Sequence, residues 1–390
     1  MVKAVNVDNN PDTSVNSPNT SKSTEVIITN PNDDVEFVVD TSNDNLILNA
    51  VSEKAMGGTE LMKKWLFEEL DKREPGLKDK FQFISTRVRN LEPDKQRILW
   101  IHDLANDPEV EHLKDPENWK KFERIIFVSH WQQYQFKTHL GFPYDKGIVI
   151  QNAIHPIPEH KKPNEDGKIN VCYFSTPHRG LELLLNAWEF MRNTLKEGLN
   201  AELNIYSSFK LYDRGHLDEQ FRHIYKRAAD MDGVNYHGTV SNDEIREALK
   251  TQHVMAYPCV YEETSCITLI EASSAGLLCV CPNLGALPET GANFPWMYGY
   301  EEDPDKHAQV HGHILGRSIA HYWDEDVQNL LKIQRSYFDM FYNWDLRAGQ
   351  WQQFLRAIED TPEVQKQKEV IRKEVQEDGD SEDASYEIIE

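Results

Sequence analysis

The chain reads as an α/β protein built from two doubly wound parallel sheets that face each other across a cleft. Three observations predict this. Short β-branched and aromatic runs alternate with helical periods from residue 35 onward, the theme is played twice, and a polar stretch separates the two halves. In the first half the expected strands are Val35–Val39, Phe81–Thr86, Arg97–His102, Arg124–Ser129 and Gly147–Gln151. Between them, Glu60 to Lys72 sets Leu61, Met62, Trp65, Leu66 and Leu70 on one helical face. In the second half, Val171–Phe174, Leu203–Tyr206, Val234–Tyr236, Val254–Tyr257 and Leu277–Cys281 read as strands. A helix after Gly180 stripes Leu181, Leu184, Leu185, Trp188, Met191 and Leu195. His160–Lys168 (HKKPNEDGK), with its Pro and Gly, suits a linker. The expected organisation is a disordered polar tail over 1–34, a Rossmann-like domain over 35–160, and a second over 161–325. Helices crossing back to the first domain follow over 326–358, and an acidic tail over 359–390.

Composition narrows the function classes. With 390 residues, 39% hydrophobic, nine Trp and sixteen Phe, two cores can be filled. The first 34 residues are rich in Asn, Ser, Thr, Asp and Pro, with no basic segment leading into an apolar one, so no targeting signal is expected. No apolar run approaches the roughly 18–20 residues of a membrane span. Formal net charge is −23. The tail from Glu359 carries 12 acids against 4 bases, and residues 1–34 carry 5 against 2, which leaves −12 for the middle of the chain. Such a surface repels polyphosphate and disfavours general nucleic-acid binding. The five cysteines are odd in number. Cys279 and Cys281 sit in an apolar run and read as buried hydrophobes rather than metal ligands. A reducing, cytoplasmic location is expected.

In doubly wound sheets, ligands bind beyond the carboxyl ends of the strands, where loops enter helices, and the chemically suggestive residues fall there. Gly57-Gly58-Thr59-Glu60 precedes the first helix and would let a ligand reach bare amides at its positive end. Arg179 stands at a helix entrance after one strand and Lys210 after the next, a pair able to neutralise a diphosphate. Glu263 lies in the loop before a helix expected to begin near Ser265–Thr268. Glu271 lies inside that helix, flanked by Ile270 and Ala272 and with no neighbouring base in sequence, so it calls for a hydrogen-bonding partner such as a ribose. Pro282 to Thr290 forms a further small-residue loop.

Glu263 and Glu271 with seven residues between them, a helix ending Ala275-Gly276, and Gly285-x-x-x-Glu289 together resemble the signature of retaining GT-B glycosyltransferases of family 4. The wording Glu-Thr-Ser-Cys-Ile and Gly-Ala-Leu-Pro-Glu-Thr resembles one branch of it. Further similarity lies in Gly57–Glu60, Trp100–Asp103, Phe127–Gln132, Val149–Ile154, Tyr236–Val240 and Asn343–Asp345. The resemblance implies that Glu271 holds ribose hydroxyls. It gives the sugar and phosphates to Glu263 and the amides of Ser265, Cys266, Ile267 and Thr268. Arg179 and Lys210 would stabilise the leaving diphosphate, Gly57, Gly58 and Thr59 would line it from the other domain, and Thr239 and Val240 would lie at the base. His102 would stand near the reacting carbon. Many members carry Arg-x-x-x-x-Lys-Gly where this chain has Thr176-Pro177-His178-Arg179-Gly180, which makes Lys210 the second cation. No Asp-x-Asp metal motif occupies a cleft loop, and no second carboxylate stands out. The implied reaction is therefore a metal-independent front-face transfer of a sugar from a UDP-, GDP- or ADP-sugar, UDP-glucose first, with the departing phosphate taking the acceptor's proton. The acceptor is a hydroxyl of a glycan, lipid, protein or hydroxylated nucleic-acid base. An epimerase or phosphorylase of the same fold, or a glycan-binding module without catalysis, are the alternatives.

Overall fold

A computed structural model describes residues 25–28, 37–40, 57–359 and 366, except 86, 89, 195–198 and 213–214. The chain divides into two units, Met1–Ser52 and Glu53–Glu390. In the first, β1 (Glu25–Ile28) and β2 (Phe37–Asp40) pair antiparallel, Glu25 opposite Asp40. This corrects the expected first strand Val35–Val39. Two β-branched runs only eight residues apart close a hairpin with each other, because a short loop costs little closure entropy. The remainder of the expected polar tail, and nearly all of the acidic one, lie outside the described residues.

The second unit holds two parallel sheets. The smaller runs β3 (Phe81–Ser85), β4 (Gln96–Ile101), β5 (Arg124–Phe127), β6 (Gly147–Val149), neighbours in chain order. Strand β4 is buried at every position, as a central parallel strand must be. Helix α1 (Gly58–Arg73) lays Leu61, Met62, Trp65, Leu66 and Leu70 into the same cluster as Phe81, Ile98 and Trp100. Beyond β4 comes the short α2 (Pro116–Trp119). Helix α3 (His130–Leu140) follows β5 and ends on Gly141, left-handed at φ 68°.

The larger sheet contains β7 (Ile169–Phe174), β8 (Ala201–Tyr206), β9 (Val234–Gly238), β10 (Val254–Ala256), β11 (Leu278–Asn283) and β12 (Trp296–Gly299). Its spatial order is β12-β11-β10-β7-β8-β9, all parallel. Order therefore reverses between β7 and β10, which makes their loops the natural ligand crevice. Helices α4 (Leu181–Thr194), α5 (Arg222–Asp230), α6 (Asn242–Leu249), α7 (Ile267–Ser274) and α8 (Leu287–Gly291) link the strands. The edge strand β12 has no counterpart in the sequence reading. It is four residues long, follows Pro295 and is only partly buried, so it lacks a continuous apolar run.

Three C-terminal helices complete the unit: α9 (Pro304–Ala320), α10 (Glu325–Phe341) and α11 (Trp344–Glu359). Helix α10 packs on the second domain, where Gln334 Nε2 donates to Leu277 O at 2.8 Å. Helix α11 returns to the first. Trp351 lies 5.1 Å from Trp100, and Gln96 Nε2 donates to Ile358 O at 2.8 Å. The chain thus crosses between domains twice. The crossings meet, with Ile154 N donating to Tyr342 O at 2.7 Å beside a parallel bridge from Ile154 to Asn343. All five cysteines are free and buried, Cys279 and Cys281 inside β11. Among the described residues no helix is long and apolar enough to cross a membrane.

Candidate active site

The β7 and β10 loops carry Arg179 and Glu263 to the switch point. Gly180, left-handed at φ 113°, turns the chain from the Arg179 loop into α4. A Cβ there would fall 2.2 Å from Pro258 O, so only glycine lets the two loops touch. Arg179 Nη1 pairs with Glu263 Oε1, and its guanidinium lies 4.3 Å from the centre of the Tyr261 ring. The same Glu263 oxygen accepts from the Tyr257 hydroxyl at 2.5 Å. Glu263 is buried, at 8% exposure, yet has this cation and this donor to offset desolvation.

Lys210 sits on the adjacent β8 loop and is exposed. The two loops are held side by side by His178, whose ring stacks on Phe209 at 5.2 Å and 13°. Burial, with Arg179 close by, pulls His178 down to about 4, so this ring is neutral near pH 7 and adds no third charge.

Helix α7 opens with Cys266 at its N-cap, which supplies no side-chain cap. Its leading amides, in Ile267 and Thr268, stand at the positive end of the helix and receive no side-chain cap from Cys266. Ile267 meets the first domain directly. A Cβ on Gly58 would fall 3.1 Å from its Cδ1. Gly57 caps α1 in extended conformation, and Thr59 lies in the first turn. Thr264 Oγ1 donates to His102 O at 2.9 Å, and Asn152 Nδ2 donates to Ser265 O at 3.3 Å. The Gly57–Thr59 loop, His102 and residues 263–268 thus meet at one junction of the two sheets. The His102 ring lies 4.7 Å from Trp100, and burial lowers it to about 3, leaving a neutral imidazole rather than an acid.

Glu271 departs from the sequence reading. It does have a base: Arg246 Nη1, on α6, donates to its Oε1 at 2.9 Å and Nη2 reaches His155 O at 2.5 Å. Glu271 is 2% exposed, and burial raises its pKa while Arg246 opposes the shift. The partner lies 25 residues upstream, beyond any local pattern. Thr239, exposed, and Val240, partly buried, lie between β9 and α6, the helix that carries Arg246.

Three more groups enter here that sequence reasoning did not single out. Tyr257 directly follows the apolar strand β10, a polar group at the end of a buried run. Tyr261 packs its ring on Arg179. Asp103, beside His102, is a second carboxylate: burial, then Asp107, push it up to about 7, Arg87 opposes, and Glu109 adds to the rise. Asp103 and Asp107 both act electrostatically on the Tyr261 hydroxyl. The Gly285 loop closes the floor. Ala286 N donates to Glu263 O at 2.8 Å, while Glu289 reaches across to α3, accepting from His130 N at 2.9 Å and Trp131 N at 2.8 Å.

Residues 169–315 match the family model for glycosyl transferases group 1. No curated protein matches the chain. Among solved structures it is similar to a glycosyltransferase from Rickettsia africae, at 11% identity, with 80% of this chain and 84% of that one covered and a TM-score of 0.58. It is also similar to Anabaena HepE in complex with UDP and glucose, at 13% identity, 82% and 90% coverage and a TM-score of 0.51. The pneumococcal O-GlcNAc transferase GtfA, in complex with UDP and GlcNAc, matches at 11% identity, 69% and 54% coverage and a TM-score of 0.51. Two parallel sheets with their linking helices, shared with these structures, define the GT-B fold class. The residues that carry the larger sheet are those that match glycosyl transferases group 1, and the chain shares its fold with these glycosyltransferase structures.

Proposed function

We propose that the protein transfers a sugar from a nucleoside diphosphate sugar, UDP-glucose foremost, to an acceptor hydroxyl with retention at the anomeric carbon. The observation that carries the reading is the Arg179–Glu263 pair at the switch point, with Glu263 in the loop that leads into α7, whose first turn ends at Glu271. In this reading the nucleotide ribose binds at Glu271, with Thr239 and Val240 toward the base. The diphosphate lies on the amides of Ser265 to Thr268, faced by Gly57, Gly58 and Thr59, and the sugar lies against Glu263. UDP is the nucleotide found with HepE and with GtfA, which supports uridine over guanosine or adenosine.

The rate-limiting charge in such a transfer develops on the departing diphosphate. Arg179, Lys210 and the α7 amides stabilise it where water is scarce, which is worth most in the transition state. Three sources of positive potential take the place a metal ion would fill, so the transfer is proposed to be metal-independent. The acceptor enters on the face from which the diphosphate leaves, the departing phosphate oxygen takes its proton, and domain closure excludes water. Neutral His102 donates or accepts one hydrogen bond near the reacting carbon. Buried free cysteines suit the reducing cytoplasm.

The test is a thermal-shift panel of UDP, GDP, ADP and their sugars, with and without EDTA, followed by donor hydrolysis on the best ligand. Stabilisation by one nucleotide series, unaffected by EDTA and lost in Glu271→Ala, is the expected result. A wild-type chain that no nucleotide stabilises sinks the reading.

A further inference from the structure

Glu263 is fixed on more sides than an ordinary loop carboxylate. Its main-chain oxygen accepts from Ala286 N at 2.8 Å, and a Cβ on Gly285, left-handed at φ 58°, would fall 2.8 Å from both its N and its O. Its side chain is held by Arg179 and by Tyr257, and both bonds fall on Oε1. Among the described residues Oε2 accepts none. Tyr257 is fully buried, 6.1 Å from the equally buried Tyr173, whose hydroxyl is used elsewhere, on Thr176 O at 2.7 Å. Burial pushes the Tyr257 phenol well above its ordinary value, so it stays protonated and remains a donor.

We propose that Tyr257 is a positioning residue for sugar selection: with Arg179 it occupies Oε1 of Glu263, so that Oε2 alone is presented to the donor sugar and reads the orientation of one hydroxyl. The inference rests on the donor-site reading above and deepens it. The two donors on Oε1 are not equivalent. Arg179 must turn its N–H groups toward the diphosphate as charge develops there, whereas the Tyr257 hydroxyl has no such competing duty. It is the bond that keeps the carboxylate still through the reaction. A carboxylate free to rotate offers either oxygen to either of two epimers. One pinned by a buried donor leaves the wrong epimer's hydroxyl unpaired, and unpaired buried polar groups are what give a site discrimination.

The experiment compares wild type with Y257F, which keeps the ring and its packing. Hydrolysis in water of an epimeric pair is followed: UDP-glucose and UDP-galactose, or GDP-glucose and GDP-mannose if the thermal shift selects guanosine. Y257F is expected to bind the free nucleotide within twofold of wild type. Its ratio of kcat/KM between the epimers should fall toward one by about fivefold or more, mainly through kcat. Y322F, which removes another buried tyrosine hydroxyl of the same domain away from these loops, should leave the ratio unchanged. A Y257F enzyme with the wild-type ratio overturns the proposal, as does a wild type that turns over both epimers equally. A wild type that binds and hydrolyses no nucleotide sugar brings down the donor-site reading, and this inference with it.

Discussion

At the scale of single residues, buried charges decide most of the behaviour. Glu271 and Arg246 exclude water from each other, with side chains 3% and 15% exposed. Arg246→Met strands a buried carboxylate and should cost about 3–5 kcal/mol in urea denaturation, whereas R246M/E271L, which removes both charges, should recover most of it. Asp103 makes a pH prediction of definite sign. Its folded pKa, about 7, lies above the ordinary aspartate value of roughly 3.9. Its stabilising contribution is therefore complete below about pH 4 and is lost as pH rises through 7. Asp103→Asn should raise Tm at pH 8 and make no difference near pH 4, and a pH series of melting curves checks this. The candidate site was legible in the sequence where chemistry is local: Arg179 and Glu263 stand at strand-to-helix turns, and Gly57 and Gly58 at a helix start. It was illegible where partners come from afar. Nothing near Glu271 announces Arg246, and nothing near His102 says that Asp103 will be pushed toward neutrality by burial and by Asp107.

At the scale of elements, the two domains share helix caps. The first turn of α3 has its amides met from two sources. Ser129 Oγ takes Gln132 N at 3.0 Å, and Glu289, from the other domain, takes His130 N and Trp131 N. A carboxylate at a helix start is favoured by the dipole as well as by the bonds. Glu289→Ala should lower stability by about 1–2 kcal/mol and raise the donor KM, since the cap also ties the Gly285 loop to the first domain. Glu289→Gln should do less of both, and melting curves with donor-hydrolysis kinetics separate the two effects. Elements with long runs were readable at this scale. Helix α1 and strands β4, β7 and β11 lie close to where periodicity put them. The hairpin of β1 and β2 and the edge strand β12 were misread or missed, because four-residue strands carry too little pattern to reveal their partner.

At the scale of the whole molecule, the C-terminal helix belongs to the first domain's core. Trp344, Trp351 and Leu355 are buried with Phe83 and Trp100. A chain ending at Asn343 should expose that face, bind a hydrophobic dye and sediment as aggregate, while a chain ending at Glu359 should remain monodisperse. The paired crossings at Ile154 and Asn343 carry a mechanical corollary. One strap between two bodies leaves them free to bend and to twist about it. Two straps bonded side by side form a strip that bends across its width but resists torsion. Opening and shutting should thus follow a single arc, which returns the Gly57 loop to the same place over α7 in every turnover.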